Sequence, residues 1–310
     1  MKSTKSIFFV TTIMICVVWS FFAVPVFADD NKIEKLSEYM RISTQEGKIY
    51  PISFDVPIVK FKNKKNGVEV TLIGAIHIAD KKYYEELNEE FKKYESVLFE
   101  AVIDTSKNKN KNKKNIIDKK DIKDIFEQKN KKPNNEFITE ILDLTHQMDH
   151  INYLADNMVH ADLTLDEFIR RELAREDIFI SFIINSLSGM KEDNLSNALD
   201  LQGRLIGSLL ASNPALSLKR NIARMFTSEI LTDLSLPKEG SVIITERNAA
   251  ALKVLRKEIK KGTKKIAIFY GCAHLPEFAA SLKKDFKMEK IETKWITAWN
   301  LTKKKSKEKK

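Results

Sequence analysis

Apolar and polar positions alternate between strand-like and helix-like periods along this chain, with polar breaks between them. Residues 52–60 (ISFDVPIVK) partly alternate, as a strand does, and Pro57, which has no N–H to give a neighbour, predicts an edge position. Residues 62–67 (KNKKNG) form a polar turn ending in Asn-Gly, and 68–76 (VEVTLIGAI) form the next strand of an antiparallel hairpin. That second strand becomes continuously apolar at Leu72 and Ile73, as expected where both faces are covered. Asp80 is a suitable N-cap for a helix carrying Tyr83, Tyr84, Leu87, Phe91 and Tyr94 on one face. Residues 96–102 (SVLFEAV) then read as a short buried strand. This strand–helix–strand order over 68–102 predicts a parallel pair in an α/β sheet.

The pattern changes in the middle of the chain. Residues 105–134 are rich in Lys and Asn and read as an insertion, whereas 135–235 read as wholly helical, with Asn213-Pro214 marking a break or a helix start. The alternation resumes with an amphipathic helix over 241–259, a stop at Gly262, a buried strand over 265–270 (KIAIFY), a helix over 276–282 and a last strand over 290–299. The fold class that follows is α/β, with a mixed, largely parallel central sheet, flanking helices and a large helical insertion. The sheet is assembled from both ends of one domain, residues 29–310.

Residues 1–28 stand apart. Lys2 and Lys5 precede an apolar run that reaches Val26-Phe27-Ala28, and Asp29-Asp30 follow, which is the pattern of a cleaved secretory signal. The expected location is therefore outside the cytoplasm, periplasmic or extracellular. Residues 179–187 are apolar but too short to span a bilayer. After cleavage Cys272 is the single cysteine, so no intramolecular disulfide forms.

The net charge of +10 changes this picture little, because residues 107–132 carry +7, the tail 303–310 carries +5 and the signal carries +2. The folded remainder is mildly acidic, at −4. The lysine runs lack interleaved aromatics, so no nucleic-acid partner is expected. The tail suits peripheral contact with an anionic membrane or cell wall.

Candidate chemistry lies in two Gly-x-x-His motifs, Gly74-Ala75-Ile76-His77 and Gly271-Cys272-Ala273-His274. Chance supplies about 0.15 such pairs at this glycine and histidine content. Each histidine ends a predicted buried strand and precedes a helix, and Glu100 ends the strand after His77. Ligands of open α/β sheets bind at the carboxyl ends of the strands, and glycine permits close backbone approach there. Glu246 and Arg247 open the helix that leads to the His274 strand. Two imidazoles with one or two carboxylates suit a divalent ion such as Mn, Co, Zn or Fe. The remaining carboxylate is a candidate general base, and Arg247 a candidate for binding a carboxylate or a developing oxyanion. The ordinary alternative is that each histidine caps its strand while Glu100 pairs with Arg247 or a lysine. His160 and Asp162, in VHAD, either join the site from the helical insertion or precede an ordinary helix start with Thr164 as N-cap. His146 and His150 fall four apart on one predicted helix face, with Gln147 where a metalloprotease helix carries its catalytic Glu. A structural or surface role is expected for both. Cys272 is expected to be buried and inert.

Taken together, TLIGAIHIAD, LFEAV, ITERNAAAL and IAIFYGCAHLPEF resemble the TraB/PrgY/GumN-type superfamily, which includes the TIKI metalloproteases and is similar in fold to erythromycin-esterase and ChaN-type haem-binding proteins. The resemblance covers about 68–102 and 241–280, and NMVHADLTLDEF (157–168) is also similar to bacterial members. It implies a site of His77, Glu100, Glu246, Arg247 and His274, and divalent-metal-dependent cleavage of a peptide or protein substrate. The competing expectation is a non-catalytic protein that binds haem or a metal, or sequesters a peptide pheromone. N-terminal sequencing of the exported protein is expected to begin at Asp29; an unprocessed Met1 or Lys2 terminus contradicts cleavage.

Overall fold

The structure, a computed structural model, describes residues 38–47, 50–103, 136–174, 203–204, 206–227 and 242–303. The signal segment, the Lys/Asn-rich insertion, residues 179–187 and nearly all of the basic tail lie outside them. Among the described residues the strands are β1 (Arg41–Ser43), β2 (Ser53–Lys62), β3 (Glu69–Ala75), β4 (Ile78–Ala79), β5 (Ser96–Phe99), β6 (Thr145–His146), β7 (Met158–His160), β8 (Lys265–Gly271) and β9 (Glu289–Asn300). The helices are α1 (Lys81–Phe91), α2 (Glu136–Leu142), α3 (Gln147–His150), α4 (Leu165–Ala174), α5 (Pro214–Phe226), α6 (Arg247–Lys260) and α7 (Leu275–Lys284).

A mixed seven-stranded sheet runs in the order β1-β2-β3-β8-β5-β7, with β9 also paired to β2. β3, β8, β5 and β7 are mutually parallel, and β2 is antiparallel to its neighbours. Residues of β8 alternate between two cores. Ala267 and Phe269 face α1 and α5, with Tyr84, Leu87, Phe91, Leu218 and Ile222, while Ile266, Ile268 and Tyr270 face α6 and α7, with Leu255, Phe278 and Leu282. Both faces of the sheet are therefore covered, which is why its central strands read as unbroken apolar runs.

The α/β class with a largely parallel sheet is as the sequence predicts, but several details differ. β3 and β5 are parallel without being adjacent. α1 carries the chain across one vacant position, and β8, returning through α6 on the opposite face, fills it. Pro57 is not at an edge, because β9 flanks β2 along its length. Val56 and Pro57 instead fall between the residues of β2 paired with β1 and those paired with β3, where that edge of the strand has no ladder partner. The region 135–235 is not wholly helical. β7 extends the parallel sheet, and β6 pairs with β4 in a small second sheet. Both are too short to show a strand period. The predicted helix over 241–259 opens as a π-turn, Val242–Glu246, before α6. Thr164 does cap α4. Its hydroxyl accepts from Glu167 N at 3.2 Å and its own N–H donates to Glu167 Oε2 at 3.0 Å, a capping box. No described helix is long and apolar enough to cross a membrane.

Gly74 is required by packing rather than by an unusual backbone angle. A Cβ there would sit 2.7 Å from Cys272 Sγ. Gly74→Ala is therefore expected to lose about 1–3 kcal/mol of stability. Combined with Cys272→Ala it should lose clearly less than the sum of the two single changes, as denaturant unfolding of the four proteins checks. Strict additivity contradicts the contact.

Candidate active site

The two glycine–histidine motifs lie side by side on adjacent parallel strands, with Gly74 opposite Tyr270 and Ala75 opposite Gly271. Beyond the strand ends, His77 follows β3 and His274 closes a single 3₁₀ turn, Cys272–His274. Glu100 follows β5, its N–H donating to Phe269 O at 3.2 Å, and Asp162 lies two residues past β7. Four neighbouring strands thus deliver four polar side chains to one carboxyl edge.

Arg247, the first residue of α6, joins two of these strand ends. Its Nε donates to Asp162 Oδ1 at 3.0 Å, and its Nη2 to Asp162 Oδ2 at 2.6 Å and Glu100 Oε1 at 2.7 Å. The other Glu100 oxygen accepts from Gly271 N at 2.7 Å. A Cβ on Gly271 would lie 3.3 Å from that oxygen, so this glycine leaves room for the carboxylate. The Asp162 side chain is fully buried, and those of Glu100 and Arg247 are only 10% and 12% exposed. Burial pushes the Glu100 carboxyl up, but Arg247, the nearby histidines and the Gly271 N–H outweigh it and hold it down at about 2. Burial likewise opposes the charge on Arg247, which Glu100 and Asp162 more than restore. Glu100 therefore pairs with Arg247, as the ordinary reading of the sequence has it. Nε and Nη2 are given to Glu100 and Asp162, so the carboxylates that Arg247 binds are the protein's own, and it positions Glu100.

His274 does not cap its strand. It is 4% exposed, edge-on to Tyr270 and against Phe278. Its Nδ1 lies 2.6 Å from Asn248 Oδ1, and its Nε2 faces Glu100 Oε1 at 3.7 Å. Asn248 Nδ2 reaches His274 O at 3.4 Å, and nearby Glu277 accepts from Thr245 Oγ1 at 3.1 Å. Burial is the main cause that lowers the His274 ring to about 3, against the pull of Glu100. The ring is thus neutral, and with Nδ1 protonated toward Asn248 its lone pair sits on Nε2.

His77 is exposed, and near enough that its charge acts on both Glu100 and His274. The small β4–β6 sheet brings Gln147 against it. Gln147 N donates to His77 O at 2.8 Å, and Gln147 Oε1 meets His77 Nδ1 at 3.2 Å. Gln147 Nε2 in turn donates to Tyr153 OH at 2.6 Å.

Glu246 is half-buried at the end of the π-turn, and the hydrogen bonds joining α6 to the site run from the two residues after it. Of the VHAD pair, Asp162 joins the site, from a strand end rather than a helical cap. His160 faces away to Ala101 O at 2.6 Å and packs edge-on to Phe99. His146 and His150 do not share a helix face, since His146 lies in β6 and His150 stacks on Tyr84. Cys272 is buried with its thiol pushed up by burial, as an inert cysteine should be. Asn248, Gln147, Tyr153 and Glu277 were not singled out as site residues. The one available signal was position: Asn248 directly follows Glu246-Arg247, and Gln147 sits between the two histidines of LTHQMDH.

The donor chemistry fits a cation at one point. A neutral imidazole lone pair and a carboxylate oxygen, both acceptors, face each other across a distance too long for a hydrogen bond. His274 also has its other ring nitrogen anchored, as ligating histidines do. Among the described residues no three of His, Cys, Asp and Glu stand together as a metal cage. In comparisons with known proteins, no family model matches the chain, and no curated protein or solved structure does so either.

The depressed His274 value carries a pH signature. An unfolded histidine titrates near 6.5, so between about pH 6.5 and 3 the unfolded chain takes up a proton that the folded ring refuses. This stabilising contribution is complete above 6.5 and is lost by up to about 1.4 kcal/mol per pH unit as pH falls. Glu100 adds a second loss, present above about 4.3 and gone as pH drops through about 2. Urea unfolding across this range should show a shallower slope for His274→Gln between about pH 6.5 and 4.5 than for the parent. Coincident slopes contradict a buried neutral ring.

Proposed function

We propose that the protein is an exported divalent-metal-dependent hydrolase, a peptidase acting on peptide or protein signals, with its site at the carboxyl edge of the parallel strands. The observation that carries this reading is the buried His274, held through Nδ1 by Asn248, with Nε2 toward Glu100 Oε1 at 3.7 Å. The TraB/PrgY/GumN-type resemblance of the same motifs supports it. His274 and Glu100, completed by His77, would hold an ion such as Mn, Co or Zn, which when bound supplies Lewis-acid polarisation of the scissile carbonyl and a more acidic water.

The chain's own groups take distinct parts. Arg247 and the Gly271 N–H orient the Glu100 carboxylate from two sides and keep it ionised at any physiological pH. Asp162 in turn fixes Arg247 with two further bonds and offsets part of its charge. A carboxyl held at about 2 is too weak a base to accept a proton efficiently near neutrality. Proton transfer therefore falls to Glu246, since His77 is taken up as a ligand. Burial of the His274–Glu100–Arg247 group in a poorly solvated place strengthens whatever charge interaction the site makes with substrate.

Metal content of the purified protein is expected at about one equivalent of Mn, Co, Zn or Fe, and lost in folded His274→Ala and Glu100→Gln. A peptide-hydrolysis screen with the loaded protein should show turnover that falls by about 10²-fold or more in Glu246→Gln, which removes the proton acceptor. A parent protein that stays metal-free after incubation with these ions ends the hydrolase reading.

A further inference from the structure

Which nitrogen of a neutral imidazole carries the proton is decided by what the other groups around the ring accept or donate. For His274 the neighbour is Asn248, a fully buried residue whose amide orientation is set from outside the ring. Its Nδ2 is turned to His274 O at 3.4 Å, and Oδ1 is the atom 2.6 Å from Nδ1. An acceptor at that distance requires Nδ1–H. For His77 the neighbour is Gln147, 4% exposed, whose Nε2 donates to Tyr153 OH and whose Oε1 lies 3.2 Å from Nδ1.

The two amides reach the histidines by unrelated routes. Asn248 is the second residue of α6, while Gln147 opens α3 and is pinned by the β4–β6 pairing and by its own N–H on His77 O. Yet the outcome at each ring is the same. We infer that Asn248 and Gln147 are a matched pair of positioning residues that hold both site histidines in the Nδ1–H tautomer, leaving both lone pairs on Nε2. Packing alone would ask only that each buried amide find some partner; it would not select the same ring nitrogen twice. Tyr153 stands one step further out, its hydroxyl accepting from the Gln147 amide. The consequence for ion binding rests on the function proposed above, whereas the tautomers themselves do not.

Long-range ¹H–¹⁵N spectra of the intact, histidine-¹⁵N-labelled protein, taken where the rings are neutral, distinguish the two tautomers directly. The expected result is protonated Nδ1 and unprotonated Nε2 at both His77 and His274. Asn248→Ala should shift His274 alone toward Nε2–H, Gln147→Ala should shift His77 alone, and Asn248→Asp, which keeps an acceptor, should preserve Nδ1–H at His274. Co(II) titration, read by its visible absorption, should show affinity reduced about 10–100-fold in the two alanine variants and largely restored in Asn248→Asp. Either ring found as Nε2–H in the parent overturns the pairing, a measurement that needs no variant to fold. So does a tautomer that fails to move when its amide is removed. If both tautomers are as stated and Co(II) binds no form of the protein, the positioning role stands and the metal-dependent reading fails.

Discussion

The Arg247 guanidinium is the interaction on which the rest of this site depends. Two carboxylates, Glu100 and Asp162, sit almost out of water at the ends of β5 and β7, and neither is tolerable there alone. One guanidinium satisfies both because its donors diverge in a fixed plane, which a lysine ammonium does not reproduce. Since Arg247 begins α6 and the two acids follow strands of the sheet, the same contact also ties that helix to the sheet edge. Local strand geometry, helix placement and the charge state of Glu100 are consequently one problem with one solution.

Around that ion pair the tolerances are steric. Gly74 admits the sulfur of Cys272, and Gly271 admits the Glu100 carboxylate while donating its N–H to it. Neither glycine has a positive φ. Both are needed because β3 and β8 lie side by side and the turn after β8 folds back across the end of β3. Two short motifs that look independent in the sequence are thus halves of one packed unit. The chemistry follows from this closeness. Desolvation keeps His274 neutral while Arg247 keeps Glu100 charged, so both groups titrate below their usual ranges, the imidazole because of burial and the carboxyl because of the guanidinium.

Much of this was legible from residue order. The hairpin of β2 and β3, the helix with Tyr83, Tyr84, Leu87 and Phe91 on its buried face, and the apolar runs of β5 and β8 all follow from periodicity. The placement of His77, Glu100 and His274 at strand ends follows from the same patterns, because a strand boundary is a local signal. Arg247 is legible as a site residue and a carboxylate binder, but nothing local shows that Glu100 and Asp162 together claim its donors. His160 and Asp162 are two residues apart, and only the packing around the end of β7 separates a histidine on Phe99 and Ala101 O from an aspartate on Arg247. Pro57 misled for a related reason: its cost depends on whether the neighbouring strands reach that point, which is a property of the whole sheet.

By itself the sequence determined the α/β class, the elements at the two ends of the chain and the identities of the groups that carry charge at the site. These rest on short-range effects, namely alternation, capping and the backbone freedom of glycine. The tertiary structure alone decided that β8 lies between β3 and β5, that β7 joins the sheet from a stretch without a readable period, and that Asn248 and Gln147 stand behind the two histidines. Gln147 is 70 residues from His77 and Asn248 is 26 from His274. An amide has no distinguishing pattern in a sequence. What gives each of these its role is the ring nitrogen it faces, and that placement exists only once strands and helices distant along the chain have packed together.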